Sequence, residues 1–214
     1  MKALLLQVIS VTALFVSSCG GGGGGAPSPP PPPCGDYPLA STSPYILPYP
    51  VGNSYVISQA NCGSISHFQH SGGGDLTYAY DFKMDIGDEI IASRGGTVWG
   101  IREDVPDGTG DWSNINYVII EHSDQTYGRY MHIKQNGALV NQGEGVIRGQ
   151  LIALSGDTGV PYPAPVPHLH FDAMKRNADG TFNITIPFTF RNANPPAPTE
   201  TGLDKGILYT AMPY

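Results

Sequence analysis

The stretch Pro167-His168-Leu169-His170-Phe171-Asp172 decides how this chain is read. Residues two apart on a β-strand point to the same side of a sheet. As a strand, the stretch places His168 and His170 on one face and Leu169 and Phe171 on the other. Two imidazoles opposite an apolar pair suit a metal held on a rigid support. A solvated strand face carrying two histidines fits that pair equally well, so the neighbours must decide.

Working outward, strand signals dominate. Short runs rich in Val, Ile, Thr and Tyr occupy residues 88–99, 117–121, 127–134, 151–155, 168–174 and 182–186. Glycine and Asp-Gly turns separate them at 95–96, 107–108, 143–145 and 156–159. No dozen consecutive residues show helical periodicity. Many short strands with frequent turns predict an all-β antiparallel sandwich or barrel-like domain with few or no helices. Residues 191–214, rich in Pro and Asn, read as a loosely attached C-terminal tail with one short apolar run at 207–209.

Composition narrows the classes. Of 214 residues, only 14% are charged and the net charge is −7, which argues against nucleic-acid binding and against a long coiled coil. Gly (28) and Pro (20) are abundant, partly because of residues 20–33. Residues 1–18 carry one positive charge and an apolar run too short to span a bilayer, the layout of a secretory signal. The run ends in Val16-Ser17-Ser18-Cys19, which resembles the bacterial lipobox and marks Cys19 for lipidation. An ordinary signal peptide with a chance cysteine is the alternative. Residues 19–35 then form a tether of flexible glycine and semi-rigid proline. Gly20 after the cysteine points, by likeness to known lipoproteins, to an outer-membrane anchor facing the periplasm, with the cell surface as the alternative. Cys34 and Cys62 remain and form a candidate disulfide in an exported protein, two unpaired thiols being the other possibility.

Further histidines and a carboxylate join the pair. Asp81 sits among aromatics in Tyr78-Ala79-Tyr80-Asp81-Phe82, a costly place for a carboxylate unless it is paired or metal-bound. His67 and His70 lie upstream. His132, in Tyr130-Met131-His132-Ile133, reads as a strand residue with Met131 and Ile133 on the opposite face. Imidazole and carboxylate ligands favour zinc. No HExxH or GxSxG motif is present.

Ser66-His67, Tyr80-Asp81-Phe82, Tyr130-Met131-His132 and His168-Leu169-His170 occur in the order of the M23 zinc metallopeptidases, the lysostaphin- and LytM-like peptidoglycan endopeptidases. The glycine-patterned segments 85–98 and 140–159 match the same pattern. The resemblance covers roughly residues 50–175 and implies the duplicated hybrid motif fold over a 36–190 domain. It implies one zinc ion on the first His, Asp81 and His170, with His132 and His168 catalytic. His67 is preferred over His70 as the first ligand, because it follows the Gln59…Gly63…Ser66 approach. His70 lies closer to Asp81, and the residues between His67 and Asp81 are more numerous than usual, so both stay open. Asp172 is a candidate partner orienting a ligating imidazole, and His122 reads as structural. The implied activity is zinc-dependent hydrolysis of peptide bonds in peptidoglycan stems or cross-bridges by a membrane-tethered monomer. The competing reading is a non-catalytic wall-binding or hydrolase-activating protein of the same fold. A cupin-like barrel fits poorly, because no Glu stands three or four residues after His170 and no later His follows.

Overall fold

The computed structural model describes residues 35–63, 65–68, 75–160, 167–177, 180, 182–199 and 201–214. The signal segment, Cys19, most of the tether, Cys34 and His70 lie outside the described residues. Cys62 is disulfide-bonded.

The strands are β1 (Ser54–Gln59), β2 (Tyr80–Phe82), β3 (Glu89–Ile91), β4 (Gly96–Arg102), β5 (Tyr117–Glu121), β6 (Thr126–Met131), β7 (Ile133–Ala138), β8 (Gly145–Val146), β9 (Leu151–Ser155), β10 (Leu169–Arg176), β11 (Phe182–Thr185), β12 (Ala193–Asn194) and β13 (Leu208–Ala211). A 3-10 turn covers Ala40–Thr42, and no α-helix occurs among the described residues. The protein is all-β, as the turn spacing predicts.

All pairings are antiparallel within two sheets. The larger runs β12-β13-β1-β2-β10-β6-β5-β4-β8, and the smaller runs β3-β9-β7. β10 is the hub. One edge pairs with β6 along its length, while the other pairs first with β2 and then with β11. The two sheets share one core. Tyr80, Phe82, Leu169, Phe171, Tyr130 and Val118 from the large sheet meet Ile90, Ile133 and Ile152 from the small one.

Two runs that read as single strands are each divided between the sheets. Residues 88–99 split into β3 and β4, and residues 127–134 into β6 and β7. A period-2 pattern carries no mark of a sheet crossing, because the apolar residues on both sides face the same core.

Residues 191–214 are not a loose tail. β13 pairs with β1 through Tyr55↔Tyr209, and Tyr209 and Leu203 are buried in the main core. Tyr49 Oη donates to Tyr209 O at 2.8 Å, and Leu47 N donates to Asn192 Oδ1 at 2.8 Å. The segments before β1 and after β11 thus close the core together. Their Pro and Asn content reflects turns between buried anchors (Phe188, Phe190, Leu203, Tyr209) rather than absence of structure.

Candidate metal centre

The pairing of β2 with β10 sets His170 directly opposite Asp81. Both side chains leave the sheet on the face away from Leu169, Phe171, Tyr80 and Phe82, which fill the core. His170 Nδ1 lies 3.0 Å from Asp81 Oδ1. His168, just before β10, brings its Nε2 to 3.7 Å from the same oxygen. The alternation along 167–172 therefore has the geometry expected of a strand.

His67 arrives from the loop after β1, with Nε2 3.2 Å from Asp81 Oδ1. Its Nδ1 lies 2.8 Å from Ala60 O and donates there, which leaves Nε2 as the atom that faces Asp81. Gln59, opposite Asp81 in β1, fixes this loop: its Nε2 donates to Ser66 Oγ at 2.6 Å and to Asp81 Oδ2 at 3.4 Å.

His67, Asp81 and His170 each offer a ligand atom, and these atoms all lie within 4.8 Å of one another. Ligands at zinc-bond lengths around a tetrahedral centre sit about 3.3–3.5 Å apart, close to the two distances to Asp81 Oδ1. Two imidazoles and a carboxylate are also the donor set zinc favours. The residues fit such an ion.

Asp172 stands two residues along β10 on the same face, its Oδ2 3.2 Å from His170 Nε2. It is fully buried, and Arg129 of β6 grips it, with Nε 3.2 Å from each carboxylate oxygen and Nη2 2.5 Å from Oδ2. Burial opposes the charge on Asp172, but Arg129 and His170 outweigh it and hold its pKa below the carboxylate range. Asp81 follows the same logic more strongly, since hydrogen bonds from His170 and His67 override its desolvation. Burial works against a charged His170, yet Asp172 and Asp81 push its pKa up to about 9 in the metal-free protein.

His132 differs from its sequence reading. It lies between β6 and β7 at φ 63°, not within a strand. A left-handed backbone at a non-glycine residue costs about 1–3 kcal/mol. At this crossing, Ile133 turns into the core. Met131 lies opposite His170 in the pairing of β6 with β10 and lines the same cleft as His132, rather than a face away from it. His132 Nδ1 lies 2.7 Å from Thr158 O, so it donates there and leaves Nε2 as an acceptor. Gly159, at φ 75°, permits the turn that presents this carbonyl. The His132 and His168 ring centroids are 4.6 Å apart. Burial, then the neighbouring His168 and His170, push the His132 pKa down to about 3, so the ring is neutral at pH 7.

His122 stands apart from Asp81, with Nδ1 2.9 Å from Gly95 O and its ring edge-on to Tyr45. Sequence reasoning named Gln59 only as part of the approach to His67, without its contact to Asp81, and missed Arg129. Their partners lie across strand pairings that periodicity does not reveal.

The sequence pattern of the family described as Peptidase family M23 matches residues 75–181, half of the chain. The match includes Asp81, His132, His168 and His170, and begins after His67. The peptidoglycan DD-endopeptidase ShyA of Vibrio cholerae is 38% identical over 96 residues, 45% of this chain and 20% of that protein. ShyB of the same organism, also described as a peptidoglycan DD-endopeptidase, is 34% identical over 131 residues, 60% and 28% of the two chains. The chain thus spans between a fifth and three tenths of the length of these curated relatives. Among solved structures, the catalytic domain of lysostaphin from Staphylococcus simulans is 25% identical, covering 63% of this chain and 87% of that one, with a TM-score of 0.39. With half its length matched, including four of the residues that converge on the cleft, the chain belongs to peptidase family M23.

Proposed function

We propose that the protein is a zinc-dependent endopeptidase that hydrolyses peptide bonds in peptidoglycan stems or cross-bridges. The observation that carries this reading is the convergence of His67, Asp81 and His170 beside the facing pair His132 and His168. Its relatives described as peptidoglycan DD-endopeptidases support the substrate class.

His67 Nε2, an Asp81 oxygen and His170 Nδ1 would hold the ion. When bound, zinc supplies Lewis acidity toward the scissile carbonyl and the attacking water. Gln59 occupies Asp81 Oδ2 and so leaves Oδ1 for the centre. Asp172 accepts from His170 Nε2–H and so turns the Nδ1 lone pair toward the ion. His132, its Nδ1–H committed to Thr158 O, receives a proton at Nε2 from the water. His168, its Nε2 drawn toward the Asp81 carboxylate, donates to the developing oxyanion.

The lipidated Cys19, the tether of residues 19–35 and an outer-membrane position facing the periplasm complete the proposal. Their support is the N-terminal sequence.

The test is digestion of purified sacculi by residues 33–214, the compact unit. Mass spectrometry of the released muropeptides, with and without a chelator, identifies the bond. Chelator-sensitive cleavage of stem or cross-bridge peptides is expected. Intact sacculi with zinc stoichiometrically bound would overturn the enzymatic reading in favour of a wall-binding role.

A further inference from the structure

The disulfide of Cys62 plays no part in the chemistry above, yet it sits inside the loop that delivers His67. The two ends of that loop are bonded to each other, His67 Nδ1 to Ala60 O at 2.8 Å and Gln59 Nε2 to Ser66 Oγ at 2.6 Å. Between them, the turn of residues 60–62 fixes the loop to the rest of the fold. Cys62 N donates to Thr77 O at 2.6 Å. Asn61 Nδ2 donates to Thr201 O at 2.8 Å, to Tyr80 Oη at 3.1 Å and to Tyr37 Oη.

Tyr37 belongs to the N-terminal segment, which crosses this turn as a strap. Its ring stands edge-on to Tyr78, with centroids 6.0 Å apart. Gly35 also lies against the Tyr78 hydroxyl, 2.6 Å from where a Cβ would stand. Cys34, the partner expected from the sequence, immediately precedes Gly35 and so enters the domain at this place. A cross-link there fastens the strap to the turn that carries Ala60 O, the acceptor of the His67 ring.

Cys62 is exposed, and its backbone is left-handed, at φ 52°. A non-glycine residue keeps that conformation where its surroundings hold it. Exposed disulfides are the ones open to thiol exchange. Breaking the cross-link returns conformational freedom to the strap, and the turn is then free to relax. Asp81 and His170 stand on β2 and β10, which pair with each other independently of this turn. The metal centre would lose one ligand while its sheet stays intact.

We propose that the Cys62 disulfide is a positioning element of the metal centre: it locks the loop after β1 so that His67 meets Asp81, and its reduction by a dithiol lowers affinity for the metal. In that step the S–S bond breaks and each sulfur takes up one hydrogen. The dithiol supplies the two electrons and two protons and closes to a disulfide itself. Zinc loading then follows disulfide formation, which confines a loaded centre to an oxidising compartment. The role assigned to the disulfide rests on the zinc reading of His67, Asp81 and His170.

The test uses the full chain in detergent micelles, stripped of metal. Three samples are compared: oxidised wild type, Cys62→Ser, and wild type reduced with dithiothreitol. The last two are alkylated with iodoacetamide and freed of reagents by gel filtration, so that no free thiol competes for zinc. Competition against a chromophoric chelator gives the zinc affinity. Hydrogen exchange of the loop after β1, with β6 and β10 as reference, is followed in the same metal-free samples. Cys62→Ser and the reduced protein are each expected to bind zinc at least about tenfold more weakly. Exchange in the loop should be at least about tenfold faster, with β6 and β10 equally protected in all samples. Cys34→Ser reproduces both changes, and reduced protein reoxidised with oxidised glutathione, without alkylation, regains the affinity. Unchanged affinity and exchange in the reduced protein overturn the proposal, whatever happens to the melting temperature. Loss of protection throughout β6 and β10 overturns it too, because the disulfide then holds the fold rather than the site. If oxidised wild type binds no zinc, the metal reading falls and takes this one with it. If it binds zinc and reduction changes nothing, the positioning role falls alone.

Discussion

Asp172 and His170 are bonded two residues apart on one strand, Oδ2 to Nε2 at 3.2 Å, with the carboxylate fully buried. This contact fixes which nitrogen of His170 remains for a cation. Asp172→Asn keeps the volume but weakens the acceptor and loses the ion pair to Arg129. Zinc affinity is expected to fall about 10–100-fold. Competition against a chromophoric chelator measures it, and an unchanged affinity would show that Asp172 does not orient the ligand.

The facing rings of His132 and His168 carry the proton transfers in the proposed reaction. His132→Ala and His168→Ala should each retain one zinc per chain while kcat falls by about 10²–10⁴. Asp81→Ala and His170→Ala should lose the metal. Zinc quantified after gel filtration, alongside muropeptide release, separates the two classes.

Metal binding should also release a proton. His170, with a pKa of about 9 in the metal-free protein, holds a proton on each nitrogen at pH 7, between Asp81 and Asp172. A cation at Nδ1 displaces one of them, so affinity rises with pH up to about 9 and levels off above it. Zinc titration by calorimetry, in buffers of different ionisation enthalpy, counts the released protons near pH 7. A count of zero from this group would contradict the assignment of Nδ1.

His122 supplies an acid-sensitive contribution far from this chemistry. Burial, aided by Arg94, pushes its pKa down to about 4 against 6.5 for an exposed histidine. Between those values the unfolded chain binds the extra proton, so stability is complete above pH 6.5 and is lost as pH falls toward 4. The loss amounts to about 3 kcal/mol. His122→Gln should flatten that part of the stability–pH curve, as read by urea unfolding at pH 7 and pH 4.5.

Tyr209 tests whether the last residues belong to the fold. It is 1% exposed, its backbone O accepts from Tyr49 Oη, and its hydroxyl accepts from Asp204 N at 3.0 Å. Tyr209→Ala should cost about 3–5 kcal/mol, the range for truncating a buried aromatic. A loosely attached tail would lose almost nothing in the same thermal melt.

Much of the site is legible in the chain order. The alternation His168-Leu169-His170-Phe171 states which side chains share a face, because a strand has period two whatever it pairs with. Asp81 among aromatics announces a carboxylate in need of partners. What stayed illegible depends on pairing across the sheet. Gln59 meets Asp81, and Arg129 meets Asp172, only because β1, β2, β10 and β6 lie side by side. His132 reads as a strand residue because its neighbours alternate, yet the chain changes sheets there.

The sequence by itself determined an all-β chain, a candidate set of histidines with one carboxylate, and the shared face of His168 and His170. These follow from local periodicity, turn residues and the cost of burying charge. Tertiary structure alone decided that His67 meets Asp81 and His170, that His132 turns through a left-handed bend to face His168, and that residues 191–214 close the core. Each of these joins segments far apart in the chain, and strand order and burial, rather than any local pattern, bring them together.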